Sequence, residues 1–298
     1  MEKAVVEVED TTKKDKEQSY WGLVFSYLWK NKMAMGALFL LTIIVLACLI
    51  IPEVSPHDIV TTNPANGNMP PDNVHLLGTD DLGRDMFVRF FYAGRISMSI
   101  ALMVTFFTCL IGVILGAVSG FYGGFLDSVI MRLSEVFYSL PFLLTCIVLA
   151  AFFGSGIYIL TVALTLLSWP SICRIVRGQI LALRDQEYMQ ACEALGISDI
   201  RRIFRHLMPN VLAYVVVYAT LEMASVILTE TALSFLGLGI SPPTPSWGTM
   251  INEARQTVVL AGRWWFWIPP GIAIFVAVLC FNLIGDGLRD AIDPKMKR

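Results

Sequence analysis

Residues 187–209 read Glu187-Tyr-Met-Gln-Ala-Cys-Glu-Ala-Leu-Gly196-Ile-Ser-Asp-Ile-Arg-Arg-Ile-Phe-Arg-His-Leu-Met-Pro209. This charged stretch interrupts a chain that is otherwise very apolar. Helix-favouring residues run up to Gly196, a residue type that suits the left-handed turn at the end of a helix. A second, basic helix is expected to follow and to end at Pro209. The stretch therefore predicts a helix–turn–helix on a membrane surface, between two membrane spans.

The composition indicates an integral membrane protein. Of the 298 residues, 56% are hydrophobic and only 15% are charged. A water-soluble fold of this length cannot bury so much apolar surface, so membrane lipid is expected to surround the chain. The net charge of −2 gives no indication of nucleic-acid binding. The six cysteines are scattered singly, which suggests neither a disulfide framework nor a zinc site.

Hydropathy predicts an all-α polytopic protein with six transmembrane helices. We expect a disordered cytoplasmic tail over 1–17, an interfacial amphipathic helix over 18–33 and an extracytoplasmic loop over 55–93. A core over 94–290 with five spans contains the charged segment 185–209, and a second cytoplasmic tail covers 291–298. The predicted spans are 34–54, 97–119, 136–154, 157–177, 211–236 and 265–286.

The distribution of lysine and arginine predicts the orientation of the chain. The segment 174–209 contains six arginines, and the chain ends Lys295-Met-Lys-Arg298. Loops with such an excess of positive charge remain in the cytoplasm. The loop 53–93 is acidic instead, as expected of a translocated segment. Both termini are therefore predicted to be cytoplasmic.

The order Ala191-Cys-x-Ala-Leu-Gly196, followed at a fixed distance by His206-Leu-Met-Pro209, resembles the coupling loop of ABC importer permeases. Two positions depart from the family pattern: Gln190 stands where many members have glutamate, and Cys192 replaces the usual second alanine. The resemblance implies that the short helix docks into a groove on an ATP-hydrolysing subunit. An amphipathic hairpin without a partner is the alternative. The coupling role falls on Gln190, Ala191, Cys192, Glu193, Ala194, Leu195, Gly196, Ile197, Ser198 and Pro209.

Three further blocks, His75–Asp85, Ser234–Gly248 and Phe281–Pro294, resemble the oligopeptide, dipeptide and nickel branch of that family. Within the branch the chain is similar to the second permease subunit. The resemblance implies a type I importer in a bacterial inner membrane. Its other components would be a homologous permease, two ATPase subunits that bind the ATP, and an extracytoplasmic peptide-binding protein. The expected substrate is an oligopeptide or dipeptide, with nickel or a nickel chelate as the alternative.

Two glutamates, Glu222 and Glu230, fall within the fifth predicted span. An ionisable group in a membrane is costly unless it faces a partner or water, so both are candidates for a polar translocation path. They are eight residues apart, or roughly 80° around a helix, so one narrow stripe need not contain both. A hydrogen bond between packed helices explains either glutamate equally well.

Enzyme functions find little support in the sequence. The chain has no Gly-x-x-x-x-Gly-Lys-Ser/Thr loop, so we expect a partner subunit to hydrolyse ATP. We expect this chain to bind no cofactor of its own. Its three histidines, His57, His75 and His206, are expected to lie far apart, which argues against a histidine metal site or catalytic base. The rivals from other classes are a proton-coupled secondary transporter and a structural scaffold. The secondary transporter would explain Glu222 but leaves the charged segment without a purpose, and a stoichiometric ATPase partner would argue against the scaffold.

Overall fold

The computed structural model describes residues 20–255 and 262–292. Within these ranges the chain is helical, and the only strand-like feature is an isolated antiparallel bridge between Thr79 and Asp85. Short 3₁₀ turns occur at Pro64–Asn66 and Trp264–Phe266, and a π-helical turn at Arg202–Leu207. The α-helices are α1 Tyr20–Lys30, α2 Lys32–Val54, α3 Met86–Tyr122, α4 Gly124–Ser139, α5 Phe142–Phe153, α6 Ile157–Arg184, α7 Glu187–Ala194, α8 Asp199–Arg201, α9 Met208–Phe235, α10 Trp247–Glu253 and α11 Ile268–Ile292.

Five helical segments are long and apolar enough to cross a membrane: α2, α3, α6, the continuous run Asp199–Phe235, and Trp264–Ile292. The total is six spans if the bent pair α4 and α5 counts as one broken span. The predicted all-α polytopic fold is confirmed, but the prediction of one continuous helix over 136–154 is wrong. The chain bends by 86° between α4 and α5. Leu140 is extended before Pro141, in keeping with the clash by which a proline ring disfavours the helical conformation in the residue that precedes it.

The helix α3 begins eleven residues before the predicted span, so the predicted loop 55–93 ends at Asp85. Asp85 caps the helix by accepting a hydrogen bond from the Val88 amide at 2.9 Å. The hydropathy pattern does not reveal the start of α3 at Met86 because Arg89 is charged. In the fold Arg89 is buried and donates to Glu253, at 3.2 Å, in α10. A charged residue can thus continue a buried helix when a partner from elsewhere in the chain neutralises it.

The first helices are separated by a cap at Asn31. Its side chain accepts hydrogen bonds from the amides of Met33 and Ala34, at 3.1 and 3.2 Å, and begins α2. The interfacial helix predicted over 18–33 corresponds to α1 and the first turn of α2. The predicted tail 1–17 lies outside the described residues, as does all of the tail 291–298 beyond Ile292.

The core is built around the packing of α3 against α6. Gly112, Gly116 and Gly120 form a stripe along α3 and lie against Trp169–Ile180 of α6. A Cβ atom at Gly116 would lie 2.6 Å from the Cys173 carbonyl oxygen, and one at Gly120 would lie 3.0 Å from the Arg177 carbonyl oxygen. Side chains at these positions would force the helices apart. Their small-xxx-small spacing therefore serves close helix packing.

Candidate functional site

The first candidate region is the hairpin formed by α7, α8 and the π-helical turn. α7 ends in a Schellman motif, in which the Ile197 amide donates to the Cys192 carbonyl at 3.0 Å and the Gly196 amide to the Glu193 carbonyl at 2.9 Å. Gly196 has a φ of +70°. The predicted left-handed turn at Gly196 is confirmed.

The same motif ends α9 at the other end of the bundle. There the Leu238 amide donates to the Leu233 carbonyl at 2.9 Å, and the Gly237 amide donates to the Ser234 carbonyl at 3.0 Å. Gly237 has a φ of +82°. The chain thus contains two turns of equal local geometry in different surroundings. Each can serve as the control for substitutions in the other.

The second helix of the hairpin does not end at Pro209, contrary to the sequence prediction. It continues through the π-helical turn into α9, so that residues Asp199–Phe235 form one helical run. In the wide turn the Met208 amide donates to the carbonyl of Ile203, five residues earlier. Pro209 follows directly, in the first turn of α9, where its missing amide hydrogen costs little. The hairpin is therefore joined rigidly to a membrane-spanning helix.

Part of the hairpin is committed to contacts within its own chain. Met189 and Cys192 are buried, with Met189 in an apolar cluster that includes Ile203. The Arg202 guanidinium donates to Glu193 at 3.0 Å and to Asp199 at 2.5 Å. Two predicted coupling residues, Cys192 and Glu193, therefore help to hold the hairpin in place.

The opposite face of the hairpin presents large apolar side chains to solvent. Leu195 is 78% exposed, Ile200 69% and Phe204 68%. Ile200 and Phe204 line a depression of about 600 Å³, together with Arg201 and Arg205. Exposed apolar groups flanked by arginines suit a partner surface that offers an apolar contact and acidic side chains. Of the other predicted coupling residues, Gln190, Ala191, Ala194, Gly196, Ser198 and Pro209 are exposed and Ile197 is half-buried.

Tyr188, next to the buried Met189, has its hydroxyl partly withdrawn from water. Burial raises the pKa of the Tyr188 phenol above its ordinary value, and the nearby Cys192 acts in the same direction. The phenol therefore stays protonated at neutral pH. It adds a hydrogen-bonding group, and no negative charge, to the hairpin.

The second candidate region is a polar pocket near the middle of α9. Glu222 lies 14 residues after the first residue of α9 and 13 before the last, or about 20 Å from either end. Its side chain lines a pocket of about 290 Å³ between α9, α6 and the start of α5. Apolar walls come from Phe142 and Leu164. The polar lining consists of Ser168, Ser171, Tyr218, Glu222, Ser225 and Thr229.

Four of these polar residues form a stripe along α9. Tyr218, Glu222, Ser225 and Thr229 follow the spacing i, i+4, i+7, i+11, which places them on one face of a helix. The sequence analysis missed all of them except Glu222, although the spacing was there to be read. No such signal showed that Ser168 and Ser171 of α6 would face the stripe.

The pocket also lies close to the bend between α4 and α5. The Tyr138 hydroxyl near the end of α4 is 2.8 Å from the Ser171 hydroxyl. The Arg174 guanidinium stacks over the Tyr138 ring, with 4.2 Å between the guanidinium carbon and the ring centroid. The bent pair of helices is thus connected to the polar pocket through α6.

Glu230 has a different environment from Glu222. It is fully buried, at 0% exposure, and accepts hydrogen bonds from Ser234 at 2.7 Å and from Ser97 at 3.1 Å. The Ser97 hydroxyl in turn accepts from the Trp247 amide at 3.2 Å. This chain of hydrogen bonds connects α3, α9 and α10. The arrangement favours the helix-packing explanation of Glu230 over a place on the translocation path.

The structure corrects the expected separation of the histidines. The rings of His57 and His75, with centroids 5.0 Å apart, lie together in the loop between α2 and α3. The loop folds back on itself, and His57 Nε2 lies 3.3 Å from the Val74 carbonyl oxygen. His206 belongs to the π-helical turn of the hairpin. Sequence separation alone does not show which parts of an irregular loop meet.

Comparison with known proteins identifies close similarities. The family described as "Binding-protein-dependent transport system inner membrane component" matches residues 112–298. The N-terminal domain of oligopeptide transport permease C matches residues 19–71. The dipeptide transport permease DppC of Bacillus subtilis is 42% identical, covering 94% of this chain and 87% of the relative. The oligopeptide transport permease OppC of the same organism is 39% identical, covering 95% and 92%.

A putative peptide permease of Brucella suis is also similar, with 42% identity over 89% of this chain and 88% of the relative. Among solved structures, the inward-facing MetNI methionine ABC transporter aligns with a TM-score of 0.57 at 17% identity. The alignment covers 70% of this chain and 98% of that chain. At this level of identity the structural similarity concerns the fold.

Proposed function

The chain belongs to the family of binding-protein-dependent transport system inner membrane components, and on this premise we propose that it forms half of the membrane pore of an ATP-driven importer for dipeptides or oligopeptides. The names of its relatives, which are dipeptide and oligopeptide transport permeases, support this substrate class. A homologous permease supplies the other half of the pore. Two ATPase subunits bind and hydrolyse ATP, and an extracytoplasmic binding protein delivers the peptide.

The observation that carries the proposal is the exposed apolar face of the hairpin. Leu195, Ile200 and Phe204 would be costly to leave in water, and an ATPase groove would cover them. Because the helical run Asp199–Phe235 is continuous, a displacement at Ile200 or Phe204 is transmitted to a spanning helix as a rigid-body movement. The hairpin and both termini then lie in the cytoplasm of a bacterial cell, with the pore in its inner membrane. The chain itself is non-catalytic, and ATP is bound by the partner subunits.

The polar pocket around Glu222 is the proposed surface over which the peptide passes. A peptide carries amide groups and charged termini, and it needs hydrogen-bonding partners at the depth where lipid offers none. Hydroxyls of Ser168, Ser225 and Thr229 supply such partners without a strong preference for any side chain. Weak, replaceable contacts of this kind suit a path that must also release its substrate.

The complete importer in proteoliposomes tests the proposed function. Uptake of a labelled dipeptide should require ATP and the binding protein, and an imposed proton gradient alone should drive none. Peptide uptake by the permease pair without ATPase subunits would contradict the proposal and support a secondary transporter. Competition by a nickel chelate, with no competition by peptides, would reassign the substrate.

Substitution of Leu195 by aspartate tests the docking surface. The change places a charge where an apolar contact is proposed, so ATPase subunits should dissociate while the permease still inserts. Leu236 is the matched control, because it occupies the same position before the left-handed glycine at the end of α9. The Leu236→Asp importer should keep its ATPase subunits. Equal retention in both variants would exclude Leu195 from the contact.

Substitution of Glu222 by glutamine tests the path. Glutamine keeps the hydrogen-bonding capacity but removes the negative charge, so uptake of cationic peptides should fall relative to that of anionic peptides. Glu230→Gln is the control on the same helix and should leave this preference unchanged. If Glu222→Gln and Glu222→Leu both transport every peptide like the wild type, Glu222 does not contact the substrate.

A further inference from the structure

The loop between α2 and α3 brings together three side chains that commonly bind metals. One nitrogen of His57, one nitrogen of His75 and a carboxylate oxygen of Asp85 all lie within 4.8 Å of one another. The three residues come from separate places: just after the end of α2, a turn in the middle of the loop, and the residue that caps α3. The folding of the loop is therefore what assembles the group.

His75 is held in place by its own turn. Asp72 Oδ1 accepts hydrogen bonds from the Val74 amide at 2.8 Å and the His75 amide at 2.5 Å. The His75 carbonyl accepts from the Gly78 amide at 2.8 Å. Side-chain acceptance of this kind by aspartate fixes the backbone of a turn. The position of the His75 ring is thus set before any ligand arrives.

Asp85 is oriented by its role as a helix cap. Its Oδ1 accepts from the Val88 amide at 2.9 Å, which leaves Oδ2 pointing to His75 Nδ1, 2.8 Å away. The Asp85 side chain is only 2% exposed. Among the described residues Asp85 pairs with His75, and no arginine or lysine lies within salt-bridge distance of its carboxylate. A buried carboxylate with no permanent cation beside it is an unusual and costly arrangement.

A cavity of about 400 Å³ adjoins the cluster. It is lined by His57 and Asp85 and by apolar residues at the end of α2 and the start of α3, such as Val54 and Phe87. The cavity offers space for a water molecule next to the histidines. Asp85 itself is buried, and burial of a carboxylate strengthens its attraction to a cation.

We propose that His57, His75 and Asp85 bind a divalent transition-metal ion, and that Zn²⁺ fits the group best. Two imidazoles and one carboxylate are typical ligands of zinc, with water in the fourth position. Hard cations such as Ca²⁺ and Mg²⁺ prefer sites made of oxygen atoms alone. The ion would be resident in the loop and distinct from any transported cargo.

The geometry needs only modest adjustment to bind the ion. Zinc bonds of about 2.0–2.1 Å in a tetrahedron place neighbouring ligand atoms roughly 3.3 Å apart. His75 Nδ1 and Asp85 Oδ2, now 2.8 Å apart, would separate by about half an ångström. His57 would approach by rotation of its side chain, whose Nε2 lies 3.3 Å from the Val74 carbonyl oxygen. The ion would then join the end of α2 to the start of α3.

Metal titration of the whole importer tests the site. The complex is purified with a tag that contains no histidine, stripped with a chelator, and dialysed against Zn²⁺, with bound metal measured by elemental mass spectrometry. Wild type should bind one ion per complex more than His57→Ala or His75→Ala. Changing an outer-shell partner of a metal ligand typically costs 10–100-fold in affinity, so loss of a ligand should cost at least about 100-fold. Co²⁺ should give the intense visible bands of a tetrahedral site in wild type only.

His206→Ala is the control variant, because it removes the remaining histidine and leaves the loop unchanged. It should bind the metal like the wild type. Asp85→Asn keeps an acceptor for the Val88 amide and hence the helix cap, so a loss of affinity in this variant cannot be attributed to unfolding. Zn²⁺ should also raise the melting temperature of the wild type, but not that of His57→Ala. Equal zinc stoichiometry and affinity in wild type, His57→Ala and Asp85→Asn would overturn the proposal.

Discussion

Replacement of Gly196 by valine isolates the turn through which the hairpin is proposed to act. Gly196 has a φ of +70°, where an L-amino acid is strained by about 1–2 kcal/mol and a β-branched residue by up to about 3 kcal/mol. A Cβ atom at Gly196 would meet no atom within 4 Å. The penalty expected for a Cβ is therefore local backbone strain and does not come from contact with other parts of the chain.

The strain should be released within the turn and not in the membrane. α7 is anchored by Met189 and by the ion pair of Glu193 with Arg202, so the segment that can move is Leu195–Ser198. If only the left-handed turn can dock, a penalty of 1–3 kcal/mol lowers the competent population about 5- to 150-fold. The apparent affinity for the ATPase subunits falls by the same factor.

The assay compares the ATPase activity of reconstituted importers with and without peptide-loaded binding protein. Gly196→Val should insert normally, release its ATPase subunits during purification, and lose most of the stimulation by binding protein. Gly196→Asn should remain close to wild type, because asparagine adopts the left-handed conformation at little cost. The two variants change the same position, so their difference reports the turn conformation alone.

Gly237→Val provides the control for general destabilisation. Gly237 has a φ of +82°, ends α9 in the same motif, and likewise leaves open space around an added Cβ. This variant should lose as much thermal stability as Gly196→Val while it retains the ATPase subunits. If Gly196→Val shows the same loss of stability but keeps its ATPase subunits and full stimulation, the turn does not couple ATP hydrolysis to transport.

Three other predictions concern the spans and their orientation. Glu230→Leu leaves two buried serine hydroxyls without their acceptor and should lower the stability of the assembled complex by about 2–6 kcal/mol, measured by thermal unfolding in detergent. Cysteines at Thr62 and Pro243, both exposed, should react with an impermeant maleimide in intact cells; protection of both would contradict the predicted topology. Arg177→Met removes a two-pronged ion pair that joins α6 to α4 and should cost about 1–2 kcal/mol of stability, with a smaller effect at high salt.

Much of the fold could be predicted because its determinants are local. Runs of apolar residues determine which segments enter a membrane, and Gly196 determines a turn through its own conformational freedom. The early start of α3 was missed because Arg89 lowers local hydropathy, while its partner Glu253 lies 164 residues further along the chain. The bend at Pro141 had a visible cause, but an apolar run on both sides of the proline concealed it from a hydropathy average.

The meeting of His57 with His75 could not be predicted for a related reason. These residues belong to an irregular loop whose path depends on scattered hydrogen bonds, such as those that Asp72 accepts and the Gly78 amide donates. Each bond is weak, and only their sum selects one path. No periodicity identifies them. Polar residues on one face of a helix recur at every turn and form a readable pattern, whereas a contact within a loop has no repeat in the sequence.

Glu222 and Glu230 show where residue type stops being informative within a span. A glutamate in a membrane is energetically unfavourable unless it has polar partners or water. The residue type shows this requirement but does not show which partners fulfil it. The polar neighbours differ, however: Glu222 lies on a stripe with Tyr218 and Ser225, while Glu230 falls off that stripe and beside Ser234. A glutamate that continues a stripe of several polar residues lines a pocket, and one whose polar neighbour at helical spacing is a single serine can be satisfied within the helix packing. Reading the neighbours at helical spacing therefore separates two residues that residue type leaves equivalent.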